Sequence, residues 1–179
     1  ATKVQSIPIV GGTKKAFWSR TKNIAADFVV MDREENTLEM AQKSPFPVLD
    51  IHIVSLQTAS HELRKLAEQL ANEKLRVIAD RYAAIAQTSF KLRNLEALPG
   101  VRKWLRTPQV PSEKIIYVIW KNPWMRVHRA CFIGDVLAKF GLEVEASGRY
   151  PEFSASELQA AGNLLLFSSE PYPFDREAE

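Results

Sequence analysis

Phe28-Val-Val-Met-Asp-Arg-Glu-Glu-Asn36 and Leu164-Leu-Leu-Phe-Ser-Ser-Glu-Pro-Tyr-Pro-Phe174 share one arrangement, an apolar strand that ends in an acidic loop. Ligands of α/β proteins collect beyond the carboxyl ends of strands, and a site between domains encloses its ligand on both sides. The two strand ends therefore predict two lobes that face one ligand site. Such an arrangement is typical of ligand capture rather than of catalysis.

The composition limits the classes of protein that need to be considered. The chain has 179 residues and is 46% hydrophobic, which is enough for one good core or two small ones. Its net charge of +3 is spread along the sequence without a polybasic run, so nucleic acid is not expected as a partner. No stretch approaches the roughly 20 apolar residues of a membrane span. The single cysteine, Cys131, excludes an internal disulfide.

Strand and helix patterns alternate in both halves, which predicts an α/β protein. The strongest strand signal is Lys114-Ile-Ile-Tyr-Val-Ile-Trp120, because β-branched and aromatic residues dominate it. Helical composition runs from about Thr58 to Leu98 with a break near Asn72, and one helix from Glu73 to Leu98 would extend roughly 39 Å. Its predicted apolar face is formed by Leu75, Ile78, Tyr82, Ile85, Leu92 and Leu95.

These patterns predict three parts of the chain. Residues 1–56 would form an N-terminal α/β lobe, residues 57–98 a helical connector with the long backbone helix, and residues 99–179 a C-terminal α/β lobe. We expect both lobes to be incomplete. The first residues, from Ala1 to Val4, have no secretory signal character, so we expect a processed, trimmed or fragmentary chain.

The residues that invite a catalytic or metal-binding interpretation lack supporting partners. His128 and Cys131 are three residues apart, but no third ligand has a recognisable spacing. His52 lies inside an apolar strand, where a buried and satisfied histidine is the commoner outcome. His61-Glu62 lacks the second histidine of a zinc-protease helix. We therefore predict no catalytic residue, no metal site and no cofactor, and a protein that is not an enzyme.

Six short strings occur in an order and spacing that resemble a known superfamily. They are Val10-Gly-Gly-Thr-Lys-Lys15, Glu34-Glu-Asn-Thr37, Tyr117-Val-Ile-Trp-Lys-Asn-Pro-Trp-Met125, Phe132-Ile-Gly-Asp-Val-Leu137, Arg149-Tyr-Pro-Glu152 and Ser168-Ser-Glu-Pro-Tyr-Pro-Phe174. From about residue 4 to 174 the chain resembles the helical-backbone metal receptors, the class III substrate-binding proteins of ABC importers, and within them the cobalamin-binding branch. Where this family commonly has glycine, the chain has His128.

The resemblance implies two α/β lobes joined by one long helix, with a cleft for a metal chelate such as cobalamin. Family members carry a further strand and helix before the position of Val4 and further sheet past Phe174. Ligand contacts are predicted for Trp124, Met125, Tyr150, Glu34, Glu35, Glu170 and Tyr172. For Trp124 and Tyr172 the alternative is that they pack hinges between helix and sheet. Glu39 and Glu157, one on each lobe, are predicted to dock against arginines of the permease.

The predicted function is that of an ABC-importer receptor that captures cobalamin or a related corrinoid, in the periplasm or anchored at the outer surface. A first alternative is an iron-siderophore or haem receptor of the same fold, to which Arg126, Arg129 and Arg149 would supply positive charge. A second is a cytoplasmic enzyme or regulatory module that kept the fold without import. A third is a structural partner that completes its sheet with another chain.

Overall fold

The computed structural model describes residues 11–12, 15–16, 18–90, 114–144, 148, 150–160, 164–168 and 173–174. It begins with an antiparallel pair of short strands, β1 (Gly11–Gly12) and β2 (Lys15–Ala16). A 3-10 turn at Trp18–Thr21 follows, and the Trp18 indole N–H donates to the carbonyl oxygen of Met40 at 3.2 Å. This bond ties the start of the described chain to the first α-helix.

The N-terminal lobe is built on a parallel strand–helix–strand unit. β3 (Val29–Asp32) and β4 (Val48–Ile51) are parallel neighbours, and α1 (Leu38–Gln42) connects them. Asn36 does not cap this helix, which begins two residues further along the chain. The Asn36 side chain accepts from the Asp32 N–H at 3.1 Å, and Thr37 caps the helix instead by accepting from the Met40 N–H at 3.2 Å.

Two helices of equal length follow, α2 (Leu56–Gln69) and α3 (Glu73–Ala86), and they pack against each other. Ser55 and Thr58 form a reciprocal cap at the start of α2. Asn72 caps α3 by accepting from the N–H groups of Lys74 and Leu75, which confirms the predicted break.

The predicted single helix from Glu73 to Leu98 was wrong in its extent. α3 ends at Ala86, which gives a length of about 21 Å. The residues after Ala86 favour the end of the helix. The Thr88 hydroxyl donates to the carbonyl oxygen of Ala84 at 2.9 Å and so competes with the backbone hydrogen bonds of the helix. Residues 91–98, with Leu92 and Leu95, lie outside the described residues.

The buried face of α3 is also narrower than predicted. Ala79 is fully buried, whereas Ile78 and Ile85 are 40% and 42% exposed. Leu75 and Tyr82, on the same side as Ala79, are partly buried. A small residue at the centre of the contact lets two helix backbones approach closely, so the larger Ile78 and Ile85 are left at its margin.

The C-terminal lobe contains a four-stranded sheet around one central strand. Its elements are β5 (Lys114–Trp120), β6 (Met125–Arg126), α4 (Phe132–Lys139), β7 (Glu143–Val144), α5 (Ala155–Ala160) and β8 (Leu164–Phe167). β7 and β8 are parallel to β5, and β6 is antiparallel to it. Ile115 pairs with both Val144 and Leu164, so β7 and β8 lie on opposite sides of β5.

Two apolar clusters hold this sheet to its helices. One contains Ile115, Val127, Cys131, Leu142 and Val144, and the other contains Ile116, Val118 and Phe153. Gly141 follows α4 with a φ of +72°, the left-handed conformation of a glycine that ends a helix. The α/β class and the two-lobe fold are confirmed, while the boundaries near residues 56 and 98 stay predictions. Within the described ranges, no helix has the length and apolar character needed to cross a membrane.

Candidate functional site

The turn after β3 presents Glu34 in a fixed position. The Asp32 carboxylate accepts from the Glu34 N–H at 2.7 Å, and the Asp32 carbonyl oxygen accepts from the Asn36 N–H at 2.8 Å. Arg33 pairs with Asp50 and its N–H donates to the Ile51 carbonyl oxygen at 3.0 Å. A carboxylate followed by turn-forming residues is a recognisable local signal that our sequence reasoning had not used.

Glu34 and Tyr150 come from different lobes and meet. The Tyr150 hydroxyl donates to Glu34 Oε2 at 3.2 Å across a separation of 116 residues. Glu34 follows β3 and Tyr150 follows β7, so the contact joins the regions beyond the carboxyl ends of two parallel strands. Of the predicted ligand contacts, the structure brings these two together directly.

His128 lies beside Tyr150 at this junction. The two ring centroids are 5.6 Å apart and the rings are nearly perpendicular, at 74°. Nδ1 of His128 accepts from the Ala130 N–H at 3.2 Å, while Nε2 is buried without a hydrogen-bond partner in the described part of the chain. An accepting Nδ1 places the proton of a neutral imidazole on Nε2. Sequence reasoning had considered His128 as a catalytic or metal-binding residue and as a departure from the glycine common in the family, and had not predicted its contact with Tyr150.

Trp124 belongs to an aromatic cluster at the end of β5. Its ring is stacked with Phe174 at 6.3 Å and tilted against Phe153 at 6.1 Å. Lys121 Nζ lies 5.8 Å from the centroid of the Trp124 ring. The Arg126 guanidinium lies over Phe153 at 5.6 Å. Aromatic rings and a cationic group therefore surround the Trp124 ring, and much of its surface already packs against protein groups.

The other predicted contacts are distributed more widely. Met125 is partly buried in β6 and forms a bridge with Glu152, and Glu35 is exposed in the turn that presents Glu34. Arg129 is exposed at the loop that carries His128. Glu170, Tyr172 and Arg149 lie outside the described residues, and their roles stay predictions.

The two acidic residues predicted to dock against a permease are both exposed on short helices. The pKa of Glu39 lies below its usual value because the Lys43 ammonium donates to its carboxylate and adds a positive charge. The pKa of Glu157 is also lowered, chiefly by the Ser154 N–H, which donates to its Oε2 at 2.7 Å, and then by the Ser154 hydroxyl. Both carboxylates are therefore ionised at neutral pH.

Cys131 has a structural position. It is 1% exposed, and its thiol caps α4 while donating to the carbonyl oxygen of His128 at 3.1 Å. A buried thiol of this kind packs as a small apolar group. Across the described ranges, no group of three or more His, Cys, Asp or Glu side chains is placed to hold a metal ion.

α4 fixes the C-terminal lobe to the two central helices. Asp135 Oδ2 accepts from the Leu56 N–H at 2.8 Å, at the start of α2. The Phe90 N–H donates to the Lys139 carbonyl oxygen at 2.7 Å, and the Phe90 ring stacks on Phe140 at 5.2 Å. Sequence reasoning missed Asp135, because nothing local to it indicates a partner 79 residues away.

Two α/β lobes held on a helical connector form a fold that this chain shares with solved substrate-binding proteins. One solved structure of this fold is an ABC transporter substrate-binding protein from Listeria monocytogenes, with 11% identity, a TM-score of 0.66, and coverage of 99% of this chain and 69% of that chain. No protein-family model and no curated protein sequence matches the chain.

Two further structures differ in the ligand that their names record. The periplasmic vitamin B12 binding protein BtuF of Vibrio cholerae shares 12% identity at a TM-score of 0.59, over 94% of this chain and 66% of that one. IsdE of S. aureus, complexed with heme, shares 12% identity at a TM-score of 0.60, over 99% of this chain and 70% of that one. The chain spans about two thirds of the length of these proteins, and at such identities the likeness is one of fold.

Proposed function

We propose that the chain captures a metal chelate at the junction of its two lobes, as the receptor component of an ABC importer, and that the chelate is cobalamin or a related corrinoid. The contact between Glu34 and Tyr150 is the observation that carries this proposal. It brings together groups beyond the strand ends of both lobes, where ligands of α/β proteins bind. The fold shared with solved substrate-binding proteins supports the same assignment.

The side chains near the junction suit a large ligand with apolar faces and a polar rim. The Tyr150 ring and the Met125 thioether supply apolar surface, and Glu34 and Glu35 supply hydrogen-bond acceptors for the amide N–H groups of a corrinoid rim. Trp124 contributes less free ring surface than its sequence position suggests, because Phe153 and Phe174 pack on it. We keep Trp124 as a predicted ligand contact at the edge of this surface.

A haem or iron-siderophore receptor is the second candidate, and the pairing of Tyr150 with His128 favours it. Phenolate and imidazole groups are both haem-iron ligands in proteins, and the two rings are 5.6 Å apart. Arg129, exposed on the same loop, would pair with carboxylates of an anionic chelate. The corrinoid and iron candidates therefore share one site and differ in the chemistry of the ligand rim.

Delivery to a permease is proposed to use Glu39 on α1 and Glu157 on α5. The two residues are exposed, belong to different lobes and carry lowered pKa values. Two separated negative charges would orient the receptor on a basic surface and accelerate encounter. Each carboxylate already bonds within its own helix, so its position is restricted before docking.

Calorimetric titration of the chain with cyanocobalamin, hemin and a ferric siderophore tests the proposal. We expect saturable one-to-one binding of one chelate class. Tyr150→Ala should weaken that binding at least about tenfold because it removes the ring, while Tyr150→Phe keeps the ring and should not weaken the binding. Trp124→Ala is titrated in the same way, and its unfolding curve is recorded as well. The curve is needed because the indole also packs on Phe153, so a loss of binding has to be separated from a loss of stability. Absence of binding to every chelate would contradict the proposed function.

A further inference from the structure

The hydrogen bond between Tyr150 and Glu34 connects the lobes at a side chain held in an unusual backbone conformation. Tyr150 has a φ of +51°, in the left-handed region that aromatic residues rarely adopt. Such conformations persist only where the surrounding structure enforces them, and they concentrate at ligand clamps and switches. Here the ring of Tyr150 packs on the C-terminal core cluster and against His128.

His128 is itself held rigidly from the side of α4. A Cβ atom on Gly134 would meet the carbonyl oxygen of His128 and would lie 2.8 Å from that of Arg129, so the loop 128–130 packs directly on the helix. The Cys131 thiol and the Ala130 N–H add hydrogen bonds to the backbone and the ring of His128. The imidazole edge therefore restricts where the Tyr150 ring can lie.

The C-terminal lobe is thus held at two places, to the central helices at α4 and to the N-terminal lobe at the strand ends. At α4, the bonds of Asp135 to Leu56 and of Phe90 to Lys139 measure 2.8 and 2.7 Å. At the strand ends, the bond of Tyr150 to Glu34 measures 3.2 Å, longer than the roughly 2.5–2.7 Å of a strong hydroxyl–carboxylate bond. The strand-end bond therefore links the two lobes directly and is longer than a strong bond of its kind, whereas the bonds at α4 link the C-terminal lobe to α2 and to the residues after α3.

We propose that the Tyr150–Glu34 hydrogen bond is a latch between the lobes that must open for a ligand to reach the junction, and that His128 is the positioning residue that aims Tyr150. The latch itself follows from the contacts alone, and only its effect on ligand access rests on the proposed function. A closed latch lowers the fraction of molecules competent to bind. Removing it should raise the association rate of the ligand about threefold to tenfold.

The first test measures the distance between the lobes without any ligand. Spin labels at Gln42→Cys on α1 and Gln159→Cys on α5 occupy exposed helix positions, while Cys131 is buried. We expect Tyr150→Phe to broaden the inter-label distance distribution toward longer values, measured by pulsed electron resonance. Tyr117→Phe, which removes a phenol hydroxyl from β5 of the same lobe, should leave the distribution unchanged. Identical distributions for the native chain and Tyr150→Phe would overturn the latch.

The second test asks whether His128 acts through Tyr150. We expect His128→Ala to broaden the distance distribution in the native background and to add nothing in the Tyr150→Phe background. This non-additivity would not arise from a general loss of stability. If His128→Ala broadens the distribution equally in both backgrounds, its positioning role is excluded.

The third test uses whichever chelate binds in the calorimetric titration. Stopped-flow mixing should show faster association with Tyr150→Phe than with the native chain, and an unchanged rate with Tyr117→Phe. Equal rates for Tyr150→Phe and the native chain would contradict the effect on ligand access. If no chelate binds, the proposed function fails while the label distances still decide whether the latch exists.

Discussion

Gly134 is the residue on which the position of His128 depends. It lies in α4, where a glycine normally costs stability relative to alanine. Any side chain at position 134 would clash with the backbone carbonyl oxygens of His128 and Arg129. Backbone atoms cannot move aside in the way that the end of a flexible side chain can. The requirement for glycine is therefore steric rather than conformational.

We predict that Gly134→Ala destabilises the chain by about 1–3 kcal/mol, the usual cost of overpacking. Helix propensity alone would predict stabilisation by about 0.5–1 kcal/mol, so the sign of the effect separates the two causes. Urea unfolding followed by circular dichroism measures it. A more stable Gly134→Ala variant would show that the loop does not rest on α4 as described.

Glu157 has a local structural role at the start of α5. Ser154 and Glu157 form a capping box, because each accepts a hydrogen bond from the backbone N–H of the other. The pattern is local, with two residues between the partners, so it can be recognised in the sequence. Its proposed part in permease docking depends on a partner surface and stays a prediction.

At the scale of the element, the cap of α5 should depend on pH. A carboxylate whose pKa is depressed in the folded state stabilises the fold above its unfolded pKa, and this contribution is lost as pH falls through the folded value. The Ser154 amide signal in NMR spectra should therefore titrate with a midpoint below 4.5, the usual value for Glu157. Glu157→Gln should abolish the titration. A midpoint at or above 4.5 would contradict the bonding described for this cap.

The helices and strands were predictable to different degrees for physical reasons. β5 was located correctly, because β-branched and aromatic residues dominate its seven positions and favour a strand locally. The end of α3 was missed, since residues 87–98 retain a helical composition while Thr88 and its neighbours favour termination. The exposed Ile78 and Ile85 show that an apolar periodicity does not reveal which of its members a partner helix covers.

At the scale of the whole molecule, Asp135 ties the C-terminal lobe to α2. We predict that Asp135→Ala lowers the free energy of unfolding by about 1 kcal/mol, because the Leu56 N–H loses its acceptor at a helix N-terminus. Asp135→Asn keeps an oxygen acceptor and should lose less. Asp80→Ala, which removes an exposed ion pair with Arg64, is the matched control. Equal unfolding midpoints for Asp135→Ala and Asp80→Ala would exclude this tie.

The candidate site could be predicted only in part, because it is made by contacts between distant segments. Glu34 and Tyr150 were each identified from their positions after strands, yet their contact spans 116 residues. His128 and Asp135 acquire their roles from neighbours that only the folded chain supplies. Trp124 was assigned to a ligand surface, and the structure shows that Phe153 and Phe174 occupy part of its ring.

The central claim is that one ligand is held by both lobes at this junction. Hydrogen–deuterium exchange, with and without the chelate that binds most tightly, tests it most directly. We expect the chelate to slow amide exchange in residues 33–36 of one lobe and in residues 150–153 of the other, and to leave exchange in α2 and α3 unchanged. Protection confined to a single lobe, or located away from both segments, would contradict it.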